Sequence, residues 1–227
     1  MSGVIAYKDR WLIEASYDMT LNEQKLMLAC VGKLNPREPV PKEINISVGE
    51  FSYLFPEVAN NASRELKNAC DKLWDRDITI KDPSCKTKKF RWVQAYAEYE
   101  DGSVTLAFSD GVKEYLSQFT GHFAAITLEN IKGLQNSYSI RLYEMCQQFI
   151  KAGNRMVTLE DFRFIMGVSD KYKDFKDLRK RVIDPAIAEV NDKTNLELTV
   201  AKLKKGGRSY THLHFVFKEK EQLSLPI

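Results

Sequence analysis

Between Lys173 and Val182 the chain sets five cations, Lys173, Lys176, Arg179, Lys180 and Arg181, among the apolar residues Phe175, Leu178 and Val182. Projected at about 100° per residue, Phe175, Leu178, Val182 and Ala186 share one arc of a helix. The cations take another arc, with Arg181 nearer its edge. Such a helix turns one face to a core and the other to a polyanion. Arginine suits bidentate reading of a guanine edge, and lysine, a compact point charge, suits phosphate. Arg179 is therefore the candidate base reader and the lysines are candidate phosphate contacts. Farther on, Lys202, Lys204, Lys205 and Arg208 surround Gly206-Gly207, a turn between two alternating runs. That reads as a hairpin whose tip concentrates positive charge.

A second set of polar residues is weaker. Ser63, Arg64, Lys67 and Asn68 fall opposite Leu66, Ala69, Cys70 and Leu73, and Lys88 and Lys89 follow in KDPSCKTKKFR. The hairpin after them turns at Asp101-Gly102 and carries Glu98 and Glu100, which would repel phosphate. With Trp92, Tyr96 and Tyr99 it suits a protein partner, and these three are the expected self-association residues.

Enzymatic constellations are not found. His212-Leu213-His214 places two histidines on one strand face, as in metal-dependent nucleases that attack DNA through a tyrosine. Only thirteen residues follow His214, and none is a tyrosine. VGKLNP lacks the spacing of a phosphate-binding loop. Cys30, Cys70, Cys85 and Cys146 stand far apart without a C-x-x-C, so neither zinc nor a disulfide framework is indicated. No catalytic residue, metal or cofactor is expected. No apolar run reaches the roughly 20 residues of a membrane span, and the first residues lack a secretory signal. The expectation is a cytoplasmic protein with reduced thiols.

The elements that position the cations occur twice. Ile46 to Phe55, ISVGEFSYLF, matches Val157 to Met166, VTLEDFRFIM, in chemistry at most positions. Each carries S/T-x-x-E/D, the capping box of a helix start, followed by apolar residues at i, i+3 and i+4. An amphipathic helix precedes each segment, LNEQKLMLACVGKL in the first case and YSIRLYEMCQQFI in the second. A turn, another helix and a two-stranded ribbon follow each. Helix, short strand, helix, turn, helix and hairpin, taken twice, gives an α+β fold of tandem winged-helix domains. They are expected at residues 1–127 and 128–227. The first holds 16 Lys+Arg against 18 Asp+Glu, or −2, and the second 18 against 13, or +5. The second is expected to be the main DNA-binding domain, the first to serve self-association and secondary DNA contact. Pro185, inside the last helical pattern, is expected to kink or break it.

LIEASYDMTLNEQKLMLACVGKL, SYSIRLYEMCQQF and DLRKRVIDPAIAEVNDKTNLELTV resemble the initiator proteins of iteron-containing plasmids, the Rep_3 or RepB-type family. The resemblance covers about residues 10 to 218. It implies two winged-helix domains that bind repeated origin sequences (iterons) as a monomer, and a dimer that binds an operator to repress its own gene. It further implies dimerisation mainly through the first domain, and recruitment of the host replication initiator and replicative helicase. Lys176, Arg179, Lys180 and Arg181 are the positions it assigns to DNA reading. The chain ends soon after the second hairpin, so the long C-terminal extension of some relatives is not expected. A winged-helix transcriptional regulator without a replication role is the competing expectation.

Overall fold

The computed structural model describes residues 3–82, 84–117, 123–203 and 210–220. The first half comprises β1 (Ile5–Asp9), α1 (Arg10–Glu14), α2 (Leu21–Gly32), β2 (Ile44–Ile46), α3 (Val48–Leu54), α4 (Ala62–Trp74), β3 (Asp77–Lys81), β4 (Thr87–Arg91), β5 (Val93–Glu98), β6 (Val104–Phe108) and α5 (Asp110–Lys113). After β7 (Phe123–Thr127) come α6 (Ser137–Gln147), β8 (Asn154–Thr158), α7 (Leu159–Ile165), α8 (Phe175–Leu178), α9 (Asp184–Lys193), β9 (Leu196–Leu203) and β10 (His212–Glu219).

The repeated segments start helices as their capping residues dictate. The Ser47 hydroxyl accepts from the Glu50 N–H at 3.1 Å, and the Glu50 carboxylate accepts from the Ser47 N–H at 2.9 Å. Thr158 accepts from the Asp161 N–H at 3.0 Å. Asp161, one methylene shorter than Glu, meets the Thr158 hydroxyl at 2.7 Å instead of the cap backbone. Phe51 and Phe55, and likewise Phe162, Ile165 and Met166, are then buried.

Each half assembles the same way. The short strand before the capped helix joins the distal strand of the following hairpin, giving antiparallel sheets ordered β2-β6-β5 and β8-β10-β9. Both halves are winged helices. The first carries an extra antiparallel ribbon, β3–β4, and Trp92 separates that ribbon from the hairpin. A second ribbon pairs β1 with β7, joining the start of the chain to the end of the first half.

Pro185 does not break its helix. The backbone is helical from 175 to 193, with Arg179–Ile183 wound as a π turn between α8 and α9. Pro185 has no N–H to donate, and its ring clashes with the preceding turn of a normal α-helix. Widening that turn by one residue accommodates the ring locally, so the irregularity is a π turn rather than a break.

One cluster of buried apolar side chains runs through both halves. Inside it lies a charged group. Lys8 Nζ is 2.8 Å from Glu144 Oε1, Arg141 Nη1 is 3.0 Å from Glu144 Oε2, and all three side chains are at most 2% exposed. Tyr17 stacks beneath the Arg141 guanidinium at 3.9 Å and accepts from Lys8 and Arg141. Arg141 Nη2 also donates to the carbonyls of Ile13, Ala15 and Ile165 at 3.0, 2.8 and 2.8 Å. One guanidinium therefore fastens the first half to α7 of the second. Glu14–Arg155 at 3.0 Å, Asp18–Lys171 at 2.7 Å and Lys81–Asp161 add ion pairs across the same junction.

Cys30, Cys70 and Cys146 are buried, while Cys85 is exposed. Burial pushes the Cys70 and Cys146 thiols up to about 12, and Cys30 higher still, with Cys70 beside it adding to the rise. The folded chain keeps these protons above pH 9, where an unfolded chain releases them. Stability is therefore complete below pH 9 and falls as pH rises through 9 toward 12. The urea midpoint should drop between pH 8.5 and 10.5, and alkylation of the native protein at pH 8 should label Cys85 alone by mass spectrometry.

Candidate DNA interface

The helix 175–193 separates its faces as its sequence demands. Leu178, Val182, Ile183, Ala186 and Val190 are buried, whereas Lys173, Lys176, Arg179, Lys180 and Arg181 are all exposed. Among the described residues, Lys173, Lys176, Lys180 and Arg181 carry no ion pair. Their charge is available to a polyanion.

Arg179 is placed differently from the other four. Its Nε donates to Asp184 Oδ1 and Oδ2 at 3.0 and 2.9 Å, which turns the guanidinium along the helix, over a recess lined by Phe175, Ile183, Val200 and Leu213. Both partners of this pair are about half exposed, 50% and 49%. An exposed pair contributes roughly 0–1 kcal/mol, so a DNA ligand can take the arginine from Asp184. The hairpin tip with Lys204, Lys205 and Arg208 lies outside the described residues.

In the first half, Ser63, Arg64, Lys67 and Asn68 share the exposed face of α4 opposite buried Leu66, Ala69, Cys70 and Leu73. This face is partly neutralised. Lys67 is paired with Glu98 of β5, whose carboxylate raises the lysine pKa, and Arg64 lies 3.3 Å from Glu65. The acidic hairpin folds back on α4. The Tyr96 hydroxyl donates to Asp71 at 2.8 Å, and its ring lies 5.9 Å from that of Trp74.

Lys88 and Lys89 stand apart from that face on the β3–β4 ribbon. As consecutive strand residues they point to opposite sides. Each meets an aspartate of the neighbouring strand or its turn, Lys88 with Asp82 at 2.7 Å and Lys89 with Asp77 at 2.8 Å. Hydrogen bonds from Lys88 and Ser84 hold the Asp82 carboxyl well below the usual range.

The expected self-association residues do not form one surface. Trp92 is fully buried, edge-on to Tyr17 with ring centroids 5.1 Å apart, and so cannot touch a second copy. Its backbone explains why: it links Arg76 to Ser109 through two hydrogen bonds and turns the indole into the core between β4 and β5. Tyr96 is half-buried against α4, while Tyr99 is 48% exposed.

His212 and His214 do lie on one strand face. Their rings meet Thr211 at 2.9 Å and Asn154 at 3.4 Å respectively. Among the described residues no three His, Cys, Asp or Glu side chains are grouped to hold a metal ion.

Two positioning groups were not singled out by sequence reasoning: the buried Arg141–Glu144–Lys8 cluster, and Arg163, which spans the turn ahead of the helix 175–193. The distinctive run YSIRLYE contains Arg141 and Glu144 of the first, while Lys8 comes from β1. Nothing local marks the second, since Arg163 sits where the repeat has Ser52.

Family comparison agrees with the doubled architecture. The family described as "Initiator Replication protein, WH1" matches residues 5–147, and "Initiator Rep protein, WH2" matches residues 158–217. The chain belongs to this replication-initiator family. An Escherichia coli protein described as "Replication initiation protein" is 30% identical over 212 residues, spanning 89% of this chain and 66% of that protein's length. A second Escherichia coli relative, an uncharacterized 27.6 kDa protein, is 25% identical over 82% of this chain and 84% of its own. Among solved structures, the Pi initiator protein in complex with iteron DNA superposes with a TM-score of 0.81 at 18% identity, covering 98% of this chain and all of that one. The two-domain initiator fold is thus shared end to end. In this chain, the exposed basic arc belongs to the second winged helix, and the polar, partly paired arc to the first.

Proposed function

We propose that this initiator binds double-stranded DNA at origin iterons and starts plasmid replication. The observation that carries the reading is the arc Lys173, Lys176, Lys180 and Arg181, exposed on a helix whose other face is locked in the core. The 30% identical relative described as a replication initiation protein, and the Pi initiator bound to iteron DNA, support it. The chain supplies binding and positioning, not covalent chemistry. Opened origin DNA would then receive the host initiator and replicative helicase in the bacterial cytoplasm.

The working division is 1–127 and 128–227. It is supported by α6 packing chiefly on α9, as α2 packs on α4, so that each helix serves as the first helix of its own winged unit. The second unit supplies the main contact, with Lys204, Lys205 and Arg208 as backbone contacts at its wing. Ser63, Arg64, Lys67 and Asn68 give the first unit a secondary contact once DNA displaces Glu98 from Lys67. Lys88 and Lys89 join only if phosphate replaces their aspartates.

Self-association, with repression of the initiator's own gene by the dimer, is assigned to the first unit. There β5, which carries half-buried Tyr96, is a sheet edge beside exposed Tyr99. An edge strand offers unpaired backbone groups to a second copy.

Footprinting on the DNA upstream of the gene tests the reading. Direct repeats spaced at about one or two helical turns, each covered by one protomer, are expected. Protection of a single palindrome alone would instead make the protein a transcriptional regulator.

A further inference from the structure

The turn between α7 and the helix 175–193 is held from two sides. From within, Arg163 of α7 reaches across it. Its Nη1 donates to the carbonyls of Lys171 and Tyr172 at 3.0 and 2.7 Å, and its Nη2 to that of Lys173 at 2.9 Å. One planar fork thus gathers three successive carbonyls at the point where the chain is aimed into the helix. The turn requires such a restraint. Tyr172 has φ 49°, the only positive φ outside glycine among the described residues, in a region that a side-chain-bearing residue rarely adopts.

From outside, the same turn is tied to the first half. Gly167, at φ +66°, passes so close to Tyr17 that a Cβ would lie 2.3 Å from the Tyr17 carbonyl oxygen. Lys171 pairs with Asp18 at 2.7 Å.

Among the described residues, the corresponding turn of the first half shows neither restraint. Ser52, the counterpart of Arg163 in the repeat, donates to Val48 of its own helix at 2.8 Å, and a 3-10 turn over Pro56–Asn61 leads directly into α4. Among the described residues, only the second turn is built as a joint. It refers the helix 175–193 to the frame that carries α4.

We propose that Arg163, Gly167 and Lys171 are positioning residues that fix the offset of the second recognition helix from the first, and with it the spacing of the two DNA segments the protein reads as one site. This rests on the DNA-binding reading above. A helix that pivots freely would read its own segment at any spacing. A clamped one would reject DNA in which the two segments are moved apart.

The test uses the full chain and a duplex that it selects from a random-sequence pool. A second duplex differs by one base pair inserted between the two footprinted segments. Wild type should bind the second at least about tenfold more weakly, the equivalent of one lost base contact. Arg163→Met and Lys171→Asp should reduce that discrimination below about threefold. Their far-UV circular dichroism and affinity for random DNA should stay at wild-type values. Asp18→Lys combined with Lys171→Asp should restore the discrimination by re-forming the pair in reverse, which a loss of fold cannot mimic.

Equal weakening on both duplexes and on random DNA would make these residues merely structural and overturn the inference. So would a wild type that tolerates the inserted base pair. Recovery of no duplex at all would instead overturn the DNA-binding reading itself, and the inference with it.

Discussion

Glu144→Ala should destabilise the protein by about 3–5 kcal/mol, the usual cost of removing one partner from a buried ion pair. Among the described residues, Glu144 is the only carboxylate in its cluster. It faces Lys8 at 2.8 Å and Arg141 at 3.0 Å, and neither cation has access to water. With the carboxylate gone, Lys8 keeps only the Tyr17 hydroxyl, at 3.2 Å, and a charge left in an apolar core is strongly penalised. Arg141→Met should be milder in electrostatics, because Glu144 keeps Lys8. It removes, however, the donor shared by the Ile13, Ala15 and Ile165 carbonyls, and so loosens one half from the other. Urea unfolding distinguishes the two effects. Glu144→Ala should shift a single transition to lower urea, whereas Arg141→Met should broaden it or split it as the halves uncouple. A shift below about 1 kcal/mol for Glu144→Ala would show that the cluster is not a structural centre.

Features of the fold that depend on nearest neighbours were legible in the sequence. Ser47 with Glu50, and Thr158 with Asp161, are three residues apart, and their bonds form wherever the helix forms. The Asp101-Gly102 turn and the division of the helix 175–193 into basic and apolar arcs are equally local. What was not legible depends on partners distant in sequence. α6 reads as amphipathic, yet every residue from Ser139 to Cys146 is buried, because the helix lies between the two halves. Arg141 and Glu144 thus sit on what a helical projection takes for a solvent face. Trp92 alternates with Tyr96 like a surface aromatic, but it falls in the break between two strands and is drawn inward onto Tyr17. The neutralisation of Lys89 by Asp77 follows from the register of β3 on β4, and that of Arg179 by Asp184 from the π turn between them. Charge at a position can be read from a sequence. Whether that charge is available cannot, until the neighbouring strand and turn are in place.

Replacing Lys173, Lys176, Lys180 and Arg181 together with Gln should weaken DNA binding about a thousandfold at 0.1 M salt. Each phosphate neutralised on duplex DNA releases about 0.9 counterion, so four contacts contribute roughly 3.6 to the slope of log K against log salt. Extrapolated from 1 M to 0.1 M salt, that is between three and four decades of affinity. The slope itself should flatten by three to four. Fold stability should scarcely change, since all four side chains are exposed and lack ion pairs among the described residues, and such substitutions usually stay within about 0.5 kcal/mol. Arg179 is left in place because its part is different. Paired with Asp184 in the free protein, it is proposed to read a base edge rather than to add one more phosphate contact. Arg179→Ala should accordingly cost about 1–3 kcal/mol on the selected duplex and much less on random DNA. Titrations at several salt concentrations, on both DNAs, measure the two effects separately. An unchanged slope in the fourfold variant would remove this helix from the interface. An equal loss on both DNAs for Arg179→Ala would make that arginine one more phosphate contact. The proposed division of labour, lysines that hold and one restrained arginine that reads, predicts that the two variants fail in different ways.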